Sequence, residues 1–286
     1  MHKNTFQQLY NDFPALATQL IQQYLDQSKP YNADFAAHPD EPRHHKPQWH
    51  QWGIITHTYN FLHAFDTRVQ ACIDSWNMRE QYTVWSTEMV DGIHKEELLR
   101  LGILYHDLGK ITARHLSRTQ HTKDPIYPDF SFGSHEAASE ELIQEHLAPA
   151  LLALGYSPGQ IIYIGRCAAL HYEIAKIRDR IKHSAEGYSL RFVETEDFAR
   201  EAKLLHIEYQ DYAMEVGLMY LGDSFAKTQW QLEPTPTNDT QRLVHPQIPQ
   251  IKEAIAAAGL IPSHLECVLH VPVSMAAVKR YFELMK

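Results

Sequence analysis

The chain has 286 residues, 44% hydrophobic and 21% charged, a balance that excludes a disordered polymer and suits one large domain or one domain with a small appendage. Its net charge of -9 and pI of about 6.1 argue against wrapping a long nucleic acid, which needs a basic face. Cys72, Cys167 and Cys267 stand far apart without a CxxC pair, so neither a disulfide framework nor a thiolate zinc site is expected. The opening residues lack the apolar core of a signal peptide, and no apolar run approaches the roughly 18 residues of a membrane span. These readings together predict a soluble cytoplasmic protein.

Along the chain, residues 5–26 read as a helix with Phe6, Leu9, Phe13, Leu16, Leu20 and Leu25 on its apolar face, kinked or broken at Pro14. Residues 28–49, rich in proline and polar side chains, read as a long solvated loop that includes His44 and His45. Helical spacing returns from Trp52 to Trp76 through Ile54, Ile55, Tyr59, Leu62 and Phe65, and again over residues 94–109, where Gly109 is placed to stop the helix. After an irregular stretch, Ser134 reads as the N-cap of a helix to His146. Further helices are expected over 158–182 and 196–227. Residues 231–250 carry four prolines and read as a linker or lid, followed by a helix (IKEAIAAAG), a strand (CVLHVPV) and a last helix. The expected fold is all-α with a small C-terminal α(+β) extension, divided as 1–49, 50–230 and 231–286.

The 19 histidines are the unusual feature of the composition, and their positions select a few. His106 and Asp107 are neighbours in LYHDLGK, so their side chains leave the helix about 100° apart and can approach one ion from two directions. His57, His135, His171 and Asp223 each stand on a different predicted helix beside residues expected to face a core. A buried aspartate there is costly unless it is paired or bound to a cation.

In that order these residues resemble the HD phosphohydrolase superfamily, whose pattern is His…His-Asp…His…His…Asp, over roughly residues 50–227. The wording of HQWGIITHT, LRLGILYHDLGKIT and FSFGSHEAASEEL is similar to the HD domain attached to bacterial CCA-adding tRNA nucleotidyltransferases; Ser134 and Ser139 stand where two glycines are common. Nothing resembles the nucleotidyltransferase domain itself.

The resemblance implies an HD-domain helical bundle holding one or two divalent ions, one bound by His57, His106, Asp107 and Asp223, the other by Asp107, His135 and His171. Mixed imidazole and carboxylate ligands suit Mn, Fe, Co, Ni or Zn, with Mg favoured by oxygen alone. It further implies hydrolysis of a phosphate ester by a metal-activated water, with Asp107 and Lys110 as catalytic residues. Lys110 stands in the place of the family's phosphate-contacting lysine; equally, it is a cation suited to a helix C-terminus. Arg114, Arg118 and His121 form a local basic loop that draws phosphate or is simply solvated. The run from Lys176 to Lys182 reads as a solvated face, Cys167 as core, and His50 as a residue near the ligands or substrate. The expected substrate is a small phosphorylated molecule, a nucleotide or an RNA end. The same ligand pattern also occurs in diiron oxygenases acting on a polyol or phosphonate, and a third reading is a metal-stabilised binding or sensor module.

Overall fold

A computed structural model describes residues 3–47, 49–119, 128–181, 189–232, 248–257 and 264–285. Its helices in the N-terminal half are α1 (Lys3–Tyr24), α2 (Pro30–Ala37), α3 (Ile54–Ala64), α4 (Gln70–Ser75), α5 (Arg79–Thr87), α6 (Lys95–Tyr105) and α7 (Gly109–Thr112). There follow α8 (His135–Glu141), α9 (Ala148–Ala153), α10 (Pro158–Ala169), α11 (Glu173–Arg180), α12 (Leu190–Val193), α13 (Glu196–Glu208), α14 (Ala213–Ala226), α15 (Ile248–Ala257) and α16 (His264–Glu283). Two-residue strands form two small antiparallel ladders, β1 (Met89–Val90) with β2 (Ile93–His94) and β3 (His115–Leu116) with β4 (Phe130–Ser131). The protein is all-α.

The chain divides into two compact units. The first comprises Met1–Pro47, Trp52–Leu62 and Arg79–Ala169. In α1, Phe13, Ala17, Leu20 and Ile21 recur at helical spacing and are buried. Pro14 does not break this helix as expected. The Tyr10 carbonyl, which Pro14 cannot serve, accepts a hydrogen bond from the Tyr59 hydroxyl at 2.8 Å, so the orphaned acceptor joins α1 to α3.

The expected loop over 28–49 is also corrected. It contains α2, started by Pro30 at its first position, and a short 3-10 turn, Pro42–His44. Asp40 then caps α3, its carboxylate accepting from the backbone N–H groups of Ile55 (3.0 Å) and Thr56 (2.8 Å).

Helix α6 is buried all round by Leu98, Leu99, Leu101, Ile103 and Leu104, and it packs on α10. Gly109 does not stop it. The chain turns at His106–Leu108 and Gly109 opens α7, which packs against α8. Ser134 is the N-cap of α8, as expected, but in the left-handed conformation (φ 60°) and without a side-chain capping bond.

The second unit comprises Gln48–Gln51, His63–Met78 and Leu170–Lys286. Its centre is α14, buried along its whole length and packed on α16, on α11 and on the 3-10 turn Leu170–Tyr172. Thr195 caps α13, its hydroxyl accepting from the Phe198 N–H at 3.1 Å. The strand expected at CVLHVPV is helix: it lies inside α16, with Pro272 in the helix interior. Cys267, Val268 and Val271 are buried at helical spacing, so packing overrides the β-branched composition that suggested a strand. The expected linker or lid over 231–250 falls mostly outside the described residues.

Candidate metal centre

The buried face of α6 delivers the His-Asp pair to the interior of the first unit. His106 follows the helix directly, and its Nδ1 lies 2.8 Å from the Ile103 carbonyl. A carbonyl only accepts, so Nδ1 carries the proton and Nε2 keeps its lone pair for another partner. His135, at the start of α8, is fixed in the same way: Nδ1 is 2.9 Å from the Phe132 carbonyl, leaving Nε2 as the donor atom. Such backbone tethers are what orient ligating histidines.

His57 comes from α3, fully buried, and its Nε2 lies 3.3 Å from Nε2 of His106. Asp107 Oδ2 is 3.4 Å from Nε2 of His106 and 3.5 Å from Nε2 of His57. The three donor atoms therefore form a nearly equilateral triangle. A tetrahedral ion with bonds of about 2.0–2.1 Å has edges of about 3.3–3.4 Å. The residues fit a divalent ion of that kind. The other carboxylate oxygen, Oδ1, is turned toward Nε2 of His135 at 3.5 Å, so Asp107 offers one oxygen to each side.

Asp107 is 1% exposed. Burial alone would raise its pKa, but the polar and cationic groups that surround it, the Lys110 ammonium at 2.7 Å among them, outweigh burial and hold the carboxyl well below the usual range. The group is held as a carboxylate. Gly109 and Ser139 lock the turn beneath it. The Ser139 hydroxyl accepts from the Gly109 N–H at 2.8 Å and donates to the His106 carbonyl at 2.5 Å.

Residues 80–207 match the family model described as HD domain. Over this segment, which is less than half of the chain, the sequence is similar to the HD domain. Members of that family are in general metal-dependent hydrolases, and the buried histidine and aspartate cluster is compatible with that chemistry. The match includes His106, Asp107, His135 and His171 and stops short of His57 and Asp223. Comparison with curated proteins and with solved structures found no match.

The remaining predicted site residues fall in several places. Lys110 is buried, its ammonium donating to Asp107 Oδ2 at 2.7 Å and lying 2.9 Å from Nε2 of His45. Arg114 is not part of a solvated loop. Its guanidinium lies over the rings of Phe130 (3.5 Å) and Phe35 (4.5 Å), with Nη2 3.3 Å from His44 Nδ1. Burial pushes its pKa down to about 9. Arg118 is exposed, and His121 and Lys182 lie outside the described residues.

His171 and Asp223 belong to the second unit, and both are buried. His171 sits in the Leu170–Tyr172 turn that packs against α14, the helix that carries Asp223. Asp223 pairs with Lys227 one turn on, at 2.8 Å. Burial acts to lower the Lys227 pKa, yet the Asp223 charge and hydrogen bond more than reverse it, and the ammonium is held charged. His50 is also buried in the second unit.

His44 and His45, expected in a solvated loop, are buried instead. His45 Nε2 approaches Asp107 Oδ2 at 2.9 Å, and burial together with the Lys110 charge pushes its pKa down to about 3. The only pointer in the sequence was the density of histidines ahead of His57; loop composition concealed it.

Proposed function

We propose that the chain is a metal-dependent phosphohydrolase acting on a nucleotide or a phosphorylated RNA end. One observation carries the reading: a fully buried carboxylate, Asp107, ringed by the Nε2 atoms of His57, His106 and His135 at 3.4–3.5 Å, in or beside a segment that matches the HD domain. In this reading His57, His106, Asp107 and His135 hold one or two divalent ions. A bound ion would lower the pKa of a water toward about 7 and offset charge on a phosphate oxygen.

The chain's own part is positioning. The carbonyls of Ile103 and Phe132 fix the rings of His106 and His135. Lys110, beside Asp107, is placed to meet a phosphate oxygen once it lets go of the carboxylate. Support for a nucleotide or RNA end comes from the wording around the motifs, similar to the HD domain of CCA-adding enzymes. The net charge of -9 favours a small or terminal substrate over a long duplex. Among the described residues no helix is long and apolar enough to cross a membrane.

The test is an assay of purified protein with Mn, Ni, Co or Mg against nucleoside monophosphates, triphosphates and 2',3'-cyclic nucleotides. Metal-dependent release of phosphate or opening of the cyclic ester is expected. Protein that holds metal and cleaves none of these esters refutes the proposal.

A further inference from the structure

We infer that His45 is a further ligand of the metal centre, sharing an ion with Asp107 from a segment that the HD pattern does not include. This rests on the metal-centre reading proposed above. The argument begins with the ring's fixed orientation. His45 Nδ1 lies 3.0 Å from the Trp52 carbonyl, so Nδ1 bears the proton and Nε2 presents a lone pair inward. His106 and His135 show the same arrangement, each with Nδ1 tied to a carbonyl and Nε2 turned to Asp107.

The lone pair meets an acceptor. Asp107 Oδ2 is 2.9 Å from His45 Nε2. Two acceptors at contact distance repel unless a cation joins them, and here the Lys110 ammonium does so, 2.7 Å from Oδ2 and 2.9 Å from Nε2. The pair is thus already built to hold a positive charge. Its spacing also suits an octahedral ion, whose neighbouring ligands, at right angles on bonds of about 2.0–2.1 Å, stand about 2.8–3.0 Å apart, closer than the tetrahedral edges of the His57, His106 and Asp107 triangle. In this account Lys110 is the resident cation of a pocket that a divalent ion takes over, and its release frees the lysine for a phosphate oxygen.

The backbone that presents His45 is anchored on both sides. Arg43 forms a two-pronged bond to Asp34 at 2.9 and 3.0 Å. His44 stacks on Phe35 with ring centroids 4.8 Å apart, and its Nδ1 lies 3.3 Å from Arg114 Nη2. On the far side, Asp40 caps α3. A ligand carried on so tethered a turn loses little freedom when an ion binds.

The experiment titrates cobalt(II) into metal-free full-length protein, following affinity and the visible spectrum, with wild type, His45→Gln, His45→Gly and Lys110→Met. His45→Gln is expected to weaken binding by at least the about 10–100-fold typical of losing an outer partner, and to change the spectrum. Free imidazole is expected to restore both in His45→Gly, which a merely structural role would not allow. Lys110→Met is expected to tighten binding, because the competing ammonium is gone. Unchanged affinity and spectrum in His45→Gln overturn the inference and leave the metal-centre reading standing. If both His45 variants fail to fold, Lys110→Met decides: weaker or unchanged binding there overturns the inference. Wild type that takes up no divalent ion overturns the metal-centre reading, and the inference with it.

Discussion

Replacing Gly109 by alanine tests whether the HD turn and α8 are locked together as the distances require. A Cβ at Gly109 would stand 2.1 Å from the His135 carbonyl oxygen and 2.4 Å from the Ser139 N–H nitrogen. Ordinary contact begins near 3.4 Å, so something must move by about 1 Å or more. Both obstacles are backbone, and neither can yield by rotating a side chain. Helix α8 must therefore retreat from α7. His135 is its first residue, and its ring faces Asp107 Oδ1 at 3.5 Å, so the retreat opens the ligand set. Overpacking of this kind costs about 1–3 kcal/mol, and a misplacement of about 1 Å can cost on the order of 100-fold in rate. Urea unfolding gives the first quantity, and metal titration with phosphatase assay gives the second. Gly109→Ala protein with wild-type stability and wild-type metal affinity would refute the reasoning.

Three further outcomes follow from individual contacts. Ser139→Ala removes the buried hydroxyl that joins the Gly109 N–H to the His106 carbonyl; a loss of about 1–3 kcal/mol in urea unfolding is expected. Arg114→Ala is expected to lower stability by about 2 kcal/mol through lost stacking on Phe130 and Phe35, with KM little changed; a rise in KM at full stability would restore the phosphate-drawing role expected from the sequence. For pH, burial against Tyr281 pushes the His206 pKa down to about 4 from 6.5. The unfolded chain binds this proton first as pH falls, so the contribution is complete above about 6.5 and lost on descending toward 4. Allowing for solvent screening of a part-exposed ring, it amounts to about 1–2 kcal/mol, and His206→Gln should flatten the unfolding profile between pH 7 and 4 by that amount.

The helical class was legible because apolar spacing is local: Phe13, Ala17, Leu20 and Ile21 in α1, or the leucines of α6, announce their faces without reference to the rest of the chain. His57, His106, Asp107 and His135 were legible for a different reason, their order in a family pattern. Features that depend on distant partners were not. His45 looks like loop until Trp52 and Asp107 are placed on its two ring nitrogens. Arg114 looks like part of a phosphate-drawing or solvated loop until Phe35 and Phe130 close over it. Pro14 looks like a break until Tyr59 serves the carbonyl it orphans. CVLHVPV has the composition of a strand and becomes helix because its neighbours bury Cys267, Val268 and Val271 on one face.

The two aspartates of the predicted ligand set share a local device. Asp107 has Lys110 three residues on at 2.7 Å, and Asp223 has Lys227 four residues on at 2.8 Å. The second spacing is that of neighbours on a helical face, and the first spans the turn from Asp107 into α7. An isolated carboxylate buried this deeply would cost several kcal/mol, and a lysine three or four residues further along the chain offsets that cost within the local segment. Each charge is then compensated before any ion arrives. The fold should accordingly survive removal of metal: protein stripped with a chelator is expected to keep its helical circular dichroism and a cooperative urea transition, while losing hydrolysis that returns on adding the ion. Lys110→Met should reverse the first part, making the stripped protein less stable than the metal-loaded one by a wider margin than in wild type. If stripping unfolds the wild type outright, the lysines do not compensate the carboxylates and the ion is structural.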